Sequence, residues 1–238
     1  MNYDTFIFDL DGTLLDTLDD LAAAVNHALA AYGMPLRSRE EVRCFVGNGV
    51  RLLMERAVPG GAQNPLFDQA FAEFRAYYME HSLDTTRPYD GIMPMLGELH
   101  RRGCRMAVVS NKFMTATQEL IQHFFPMIPV AIGEHEAEGI RKKPAPDTVF
   151  EALRQLNDNV NVNVNANPNA PLSTLNAQRS TLNPIYVGDS DVDVATARNA
   201  GLPCISVLWG FRNRAFLEAH GATTFITRPA ELLTFVCQ

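Results

Sequence analysis

Lysine is scarce in this chain of 238 residues. Only Lys112, Lys142 and Lys143 occur, so every other fixed positive side chain is an arginine. The formal net charge of -7 argues against a nucleic-acid partner, whose footprint would be a basic patch or stripe. No stretch reaches 18 apolar residues, so no membrane span is expected. The chain runs straight into Asp4 and Asp9 without a basic segment followed by an apolar one. Its four cysteines, Cys44, Cys104, Cys204 and Cys237, stand far apart with no C-x-x-C pair. A reduced, cytoplasmic setting is the simpler expectation. The histidines (His27, His81, His100, His123, His135 and His220) lack metal-ligand spacing and read as surface or helix residues. What is present is an ordinary soluble composition, 47% hydrophobic and 20% charged, in a chain long enough for one large domain or two modest ones.

The order of elements is more informative. Thr5 to Leu10 (TFIFDL) reads as a buried strand ending in the Asp11-Gly12 turn. Similar runs recur at Arg105 to Ser110, Pro129 to Gly133, Ile185 to Gly188 and Cys204 to Leu208. Helical patterns lie between them: Met93 to Arg102, Met114 to Phe125, Asp147 to Leu156 and Val192 to Ala200. Gly103 and Gly201 stand where helix stops belong. Alternation of this kind predicts an α/β fold, a parallel Rossmann-like sheet covered on both faces. Residues 17–88 break the rhythm with four helical patterns and no convincing strand: Leu21 to Tyr32, a second from Ser38, Val50 to Ala57, and a fourth from Pro65 to about His81. The second opens on a Ser38-x-x-Glu41 capping box, and Pro65 is read as the first residue of the fourth. The expected division is a core of residues 1–16 and 89–238 with an α-helical domain of residues 17–88 inserted over the first strand's C-terminal end, where α/β sheets bind ligands. Asn157 to Asn183 is asparagine-rich and longer than a usual connection, and reads as a surface excursion. The alternation of Val160, Val162 and Val164 allows a weak edge hairpin within it.

Four strand ends carry chemistry. In Asp9-Leu10-Asp11-Gly12-Thr13-Leu14, residues i and i+2 point the same way, so Asp9 and Asp11 enter one site. Two adjacent carboxylates repel unless a cation or proton is shared, which suits one as nucleophile and one as proton carrier. Gly12 lets the backbone pass close to a ligand. Ser110-Asn111 follows a strand, where a hydroxyl and amides could hold a phosphoryl oxygen, although Ser-Asn is also a common helix cap. Lys143 precedes a helix start, where it could neutralise an anion or simply be a solvated charge. Gly188-Asp189-Ser190-x-x-Asp193 places two acids four apart on the first turn of a helix, a position that favours acids in any case.

In that order, D-x-D-G-T, then S-N, then K-P, then G-D-S-x-x-D, the chain resembles the haloacid dehalogenase superfamily over nearly its whole length, the asparagine-rich stretch excepted. The insert resembles that superfamily's α-helical cap, and Cys44 to Ala57 (CFVGNGVRLLMERA) resembles the cap of phosphoglycolate phosphatases. The resemblance implies a Mg²⁺-dependent phosphatase acting on a small phosphorylated metabolite, phosphoglycolate being the specific expectation, through an aspartyl-phosphate. Asp9 would be the nucleophile and Asp11 the general acid and base. Asp9, the backbone carbonyl of Asp11 and Asp189 would hold Mg²⁺. Ser110, with Asn111 close by, would bind the phosphoryl group, and Thr13 would fix the loop. Lys143 would balance the charge, and Asp193 would orient Lys143.

Other reactions are argued against by residues. A dehalogenase lacks an acid at the position of Asp11, and a phosphonatase needs a cap lysine, whereas residues 17–88 contain none. A sugar-phosphate mutase of the same superfamily is the alternative, and an idle member acting only as a binding protein is a further one. A signalling receiver also gathers aspartates, a hydroxyl and a lysine, but has no helical lid and is shorter. Asn48, between Gly47 and Gly49, is expected to approach the substrate, and Arg51 or Arg56 could meet a substrate carboxylate. Trp209 and Phe211 read as core, or as a border of the site. The partner is thus a small phosphate ester, with no nucleic acid and no membrane, and the sequence leaves monomer or dimer open.

Overall fold

A computed structural model describes residues 2–134, 139–164 and 182–237, side chains 159–164 excepted. Strand β1 (Thr5–Phe8) lies at the centre of a six-stranded sheet. It pairs in parallel with β4 (Arg105–Phe113) on one side and β6 (Pro184–Gly188) on the other. β5 (Val130–Glu134) adds beyond β4, while β7 (Cys204–Val207) and β8 (Phe225–Ile226) add beyond β6. All these pairings are parallel.

Alternation along the strands explains the layers. Phe6 and Phe8 of β1, Met106 and Val108 of β4, and Ile185 and Val187 of β6 enter one buried cluster. That cluster also takes Ile92, Leu96 and Leu99 of α5 (Ile92–Arg101) and Leu120 and Ile121 of α6 (Met114–Phe124). The intervening Ile7, Ala107, Val109 and Tyr186 face the opposite side. There they meet Val149, Ala152 and Leu156 of α7 (Asp147–Val164) and Ala197 of α8 (Asp191–Asn199). A period of two thus buries both faces of one parallel sheet.

The insert builds a third cluster. Helices α1 (Leu18–Ala31), α2 (Arg39–Phe45), α3 (Val50–Ala57) and α4 (Phe67–His81) bury Leu21, Val25, Leu29, Val42, Leu53, Met54, Phe74 and Tyr78 together. Among its buried members only Phe211 comes from outside residues 18–78. Ser38 and Glu41 form the expected capping box at α2. Where the chain enters and leaves the insert, β2 (Leu15–Asp16) pairs antiparallel with β3 (Arg87–Pro88), a join absent from the sequence reading because two residues carry no period.

Other boundaries move. β4 runs past Ser110 to Phe113, with a register shift between Val109 and Phe113. Helix α4 begins at Phe67, not at Pro65, because a 3₁₀ turn at Gly61–Gln63 precedes it and Asn64 Oδ1 accepts from Leu66 N, which keeps Pro65 within the turn. Helix α7 continues to Val164, so the stretch that could have formed an edge hairpin is helical there. Positions 165–181 of the asparagine-rich stretch, like His135, lie outside the described residues. Strand β8, α9 (Arg214–Ala219) and the 3₁₀ turn Pro229–Phe235 are additional elements. Among the described residues no helix is long and apolar enough to cross a membrane.

Asp20, in the first turn of α1, ties the two crossings together. Its buried carboxylate accepts from Thr85 N (2.9 Å), Thr85 Oγ1 (2.5 Å) and Thr86 N (2.9 Å). These bonds outweigh its burial and hold its pKa below the usual carboxylate range. Asp20→Ala leaves two amides without their acceptor and should cost about 2–4 kcal/mol, read as a lower urea midpoint in equilibrium unfolding.

Candidate active site

Asp9 follows β1 directly, and its N–H donates to Val187 O at 2.9 Å, so the parallel pairing with β6 extends to the carboxylate itself. Its Oδ1 accepts from Lys143 Nζ at 2.6 Å. The same ammonium donates to Asp193 Oδ1 at 2.8 Å and to Tyr186 Oη at 3.2 Å. Asp193 is saturated. Its Oδ1 also accepts from Tyr186 Oη at 2.9 Å, while Oδ2 accepts from Ser190 N at 3.0 Å and Ser190 Oγ at 2.6 Å. Ser190 and Asp193 form the capping box of α8, so one carboxylate both starts the helix and fixes the lysine.

Asp189 closes the group. Its Oδ1 accepts from Thr13 Oγ1 at 3.2 Å, and its Oδ2 from Phe211 N at 2.7 Å. Gly12, at φ 89°, and Gly210 pack against it. A Cβ on Gly12 would lie 2.5 Å from Asp189 Oδ2, and one on Gly210 2.3 Å from the Gly12 carbonyl oxygen. Trp209 Nε1 donates to Thr13 O at 3.0 Å, which braces the loop after Asp11.

Asp9, Asp189 and Asp193 each bring one oxygen within 4.8 Å of the others. Burial, then the charge of Asp193, raise Asp9 well above the usual carboxylate range despite Lys143. Burial and then Asp193 likewise push Asp189 up to about 7. Asp193 moves the other way, because the charge and hydrogen bonds of Lys143 overcome its burial. Lys143 is itself held charged, with Asp193 and Asp9 outweighing its desolvation. Of the three acids, Asp9 therefore shares its cation with Asp193, and Asp189 has no ion-pair partner among the described residues, so one ammonium faces three carboxyl groups. Hard oxygen donors with uncompensated charge fit a divalent cation, and Asp193, already holding four donors, is the poorest ligand of the three.

Asp11 stands apart from this cluster. Its Oδ1 lies 3.0 Å from Lys112 Nζ, and its side chain is 14% exposed. Lys112 is buried and donates to Tyr78 Oη of α4 at 2.5 Å. Burial opposes its charge, but Asp11 and Tyr78 outweigh that and raise its pKa. Asn111 faces the backbone of Lys143, accepting from Lys143 N at 2.8 Å and donating to Lys143 O at 3.0 Å. Its amide is thus spent on holding the lysine in place.

A small cavity of about 40 Å³ lies above these groups. Asp9, Asp11, Ser110, Asn111, Lys112 and Lys143 form its floor, and Leu21, Val46, Gly47, Gly49, Val50 and Leu53 of the insert its roof. The structure brings together Asp9, Asp11, Ser110, Asn111 and Lys143, with Gly12, Thr13, Asp189 and Asp193 behind them. It does not bring Asn48. That amide oxygen accepts from Arg56 Nη2 at 2.8 Å and faces a separate groove beside Arg43 and Phe216. Nor do the insert's arginines reach the cavity. Arg56 donates to Phe45 O at 2.6 Å, and Arg51 pairs with Glu55 at 3.2 Å over the rings of Phe67 and Phe71. Lys112, Tyr186, Gly210 and the amide of Phe211 were missed in the sequence. The scarcity of lysine marked Lys112, which sits at the end of an apolar strand run, whereas nothing local marks a backbone amide.

The sequence profile of the haloacid dehalogenase-like hydrolases matches residues 6–207. A phosphoglycolate phosphatase of Pseudomonas putida is 32% identical, the alignment covering 95% of this chain and 77% of that one. An N-acetylmuramic acid 6-phosphate phosphatase of Pseudomonas aeruginosa is 28% identical, covering 98% and 94%. A crystal structure from Lactobacillus delbrueckii subsp. bulgaricus, provisionally assigned as a phosphoglycolate phosphatase, superposes with a TM-score of 0.84 at 32% identity over the full length of both chains. The shared profile, spanning the segments that carry Asp9, Ser110, Lys143 and Asp189, places this chain in the haloacid dehalogenase-like hydrolase family, in its phosphoglycolate phosphatase-like branch.

Proposed function

We propose that the protein is a phosphatase that hydrolyses a small phosphate monoester through an aspartyl-phosphate on Asp9. One observation carries this reading: a buried carboxylate at the C-terminal end of the central parallel strand, held on Lys143, beside a second buried acid and beneath a small cavity roofed by the insert. Asp9 attacks phosphorus, and the P–O bond to the leaving alcohol breaks. Asp11 gives its proton to that oxygen and then takes one from the water that cleaves the aspartyl-phosphate. Ser110 and the amides beside it hold phosphoryl oxygens, while Lys143, locked by Asp193 and Asn111, balances their charge. Asp9, Asp189 and the Asp11 carbonyl would hold Mg²⁺, which supplies positive charge to the phosphoryl group. The insert acts as a cap that excludes water and bulky esters. The four free cysteines fit a reduced cytoplasm.

For the substrate, the smallness of the cavity disfavours bulky esters, and the name carried by the Pseudomonas putida relative favours phosphoglycolate. The roof is apolar, so selection rests on size rather than on an arginine clamp.

Asp9→Asn should abolish turnover with the fold intact by circular dichroism, because the amide keeps the shape but cannot attack phosphorus. Asp11→Asn should lower kcat on an alkyl phosphate by ~10²- to 10⁴-fold. Wild-type rates in either variant would refute the assigned roles.

Mg²⁺ binding should depend on pH with a definite sign. Asp189 titrates near 7 in the folded chain against 3.8 as a free side chain. The folded state therefore holds the proton more tightly, and metal-free stability falls as pH rises from about 4 to about 7. A cation needs the ionised acid, so Mg²⁺ should raise Tm more at about pH 8 than at about pH 6 in thermal unfolding, and EDTA should stop turnover. Equal Tm increments at both pH values, or full activity in excess chelator, would count against this cation site.

On a panel of esters, kcat/KM for 2-phosphoglycolate should exceed that for glucose 6-phosphate and N-acetylmuramic acid 6-phosphate by about tenfold or more. Equal values would remove the substrate assignment and leave the phosphatase chemistry standing.

A further inference from the structure

Lys112 is a buried cation outside the network of Lys143, Asp9, Asp189 and Asp193. It joins three segments far apart in the chain. Asp11 comes from the turn after β1, Lys112 from the irregular end of β4, and Tyr78 from α4 of the insert. The ammonium lies 3.0 Å from Asp11 Oδ1, 2.5 Å from Tyr78 Oη and 4.6 Å from the Tyr78 ring centroid. Asp11 Oδ1 is buried, and its 3.0 Å contact with the Lys112 ammonium is what orients this carboxylate. Tyr78 is fully buried and stacks on Phe74, which stacks on Phe71, so its hydroxyl is fixed by the body of the insert. Burying an ammonium without partners is costly, and here one partner is the core carboxylate and the other belongs to the insert.

We propose that Lys112 is a positioning residue that aims Asp11 at the leaving-group oxygen when the insert seats Tyr78 upon it. With Oδ1 accepting from Lys112, a protonated Asp11 carries its proton on Oδ2, gives it to the departing oxygen as the P–O bond breaks, and is left as the carboxylate that pairs with Lys112. Proton transfer is thereby coupled to closure of the insert. The inference rests on Asp11 being the general acid.

The test compares wild type, Lys112→Met, Tyr78→Phe and Asp11→Asn on two esters, an aryl phosphate with an acidic leaving group (2,4-dinitrophenyl phosphate) and 2-phosphoglycolate, whose alkoxide needs a proton. Lys112→Met should lose about tenfold or more in kcat on phosphoglycolate beyond its loss on the aryl ester, with KM little changed. Tyr78→Phe keeps the ring and removes the hydroxyl, and should shift the same ratio in the same direction by less. A purely structural lysine would depress both esters alike. Equal losses in Lys112→Met, beside a selective loss in Asp11→Asn, would overturn the proposal and leave the role of Asp11 intact. An unchanged ratio in Tyr78→Phe would overturn the coupling to the insert. Equal losses in Asp11→Asn would strike the general-acid reading itself, and this inference with it.

Discussion

Three buried carboxylates within 4.8 Å of one another repel, and most of the site is arranged around that repulsion. Lys143 answers part of it, reaching Asp9 and Asp193 with one ammonium, and Asn111 fixes the backbone from which it reaches. Ser190 and Tyr186 spend four donated bonds with Lys143 on Asp193 and make it the settled member. What remains is the charge of Asp9 and Asp189, raised toward protonation by burial. A cation or an anionic group entering the site would change the surroundings of both acids and so their protonation.

The sheet supplies the rigidity this requires. Asp9 is bonded through its own amide to β6, and Asp189 follows that same strand. Two glycines, Gly12 and Gly210, press backbone against Asp189 where any side chain would collide. The insert contributes a different property. Its face toward the site is apolar, formed by Leu21, Val46, Val50 and Leu53, while Arg51 and Arg56 are bound to its own acids and carbonyls. Under the proposed function such a roof would discriminate by volume, and the water it displaces would strengthen the charge interactions beneath it.

Much of this was legible in the residues. The string from Asp9 to Leu14 after an apolar strand, and the alternation of strands with helices, dictate a parallel sheet with acids at its C-terminal edge. Helix α3 falls at Val50–Ala57 as read, because Gly49 and the Val50, Leu53, Met54, Ala57 spacing mark both its start and its buried face. The failures have physical causes. β2 and β3 hold two residues each, too few for any period. Pro65 fits a helix start by rule, but Asn64 builds a turn that delays the helix to Phe67. Asn48 looked exposed to a ligand because local sequence cannot show that Arg56, eight residues away, takes its oxygen. Lys112 meets Tyr78 and Asp11 across 34 and 101 positions of chain, distances at which no spacing rule speaks.

The Ser190-x-x-Asp193 segment shows why bland and functional readings of a motif need not compete. As a capping box it starts α8, and a helix start is a rigid place to hold a carboxylate. Because Ser190 fixes Oδ2, Oδ1 has a defined position, and from there it accepts Lys143. The structural bond is therefore a cause of the electrostatic one. The same logic applies to Asn111, whose amide satisfies the backbone of Lys143 and so sets where its ammonium lies. In both cases an ordinary local interaction, the kind that sequence alone suggests, supplies the precision that charge neutralisation at Asp9 depends on.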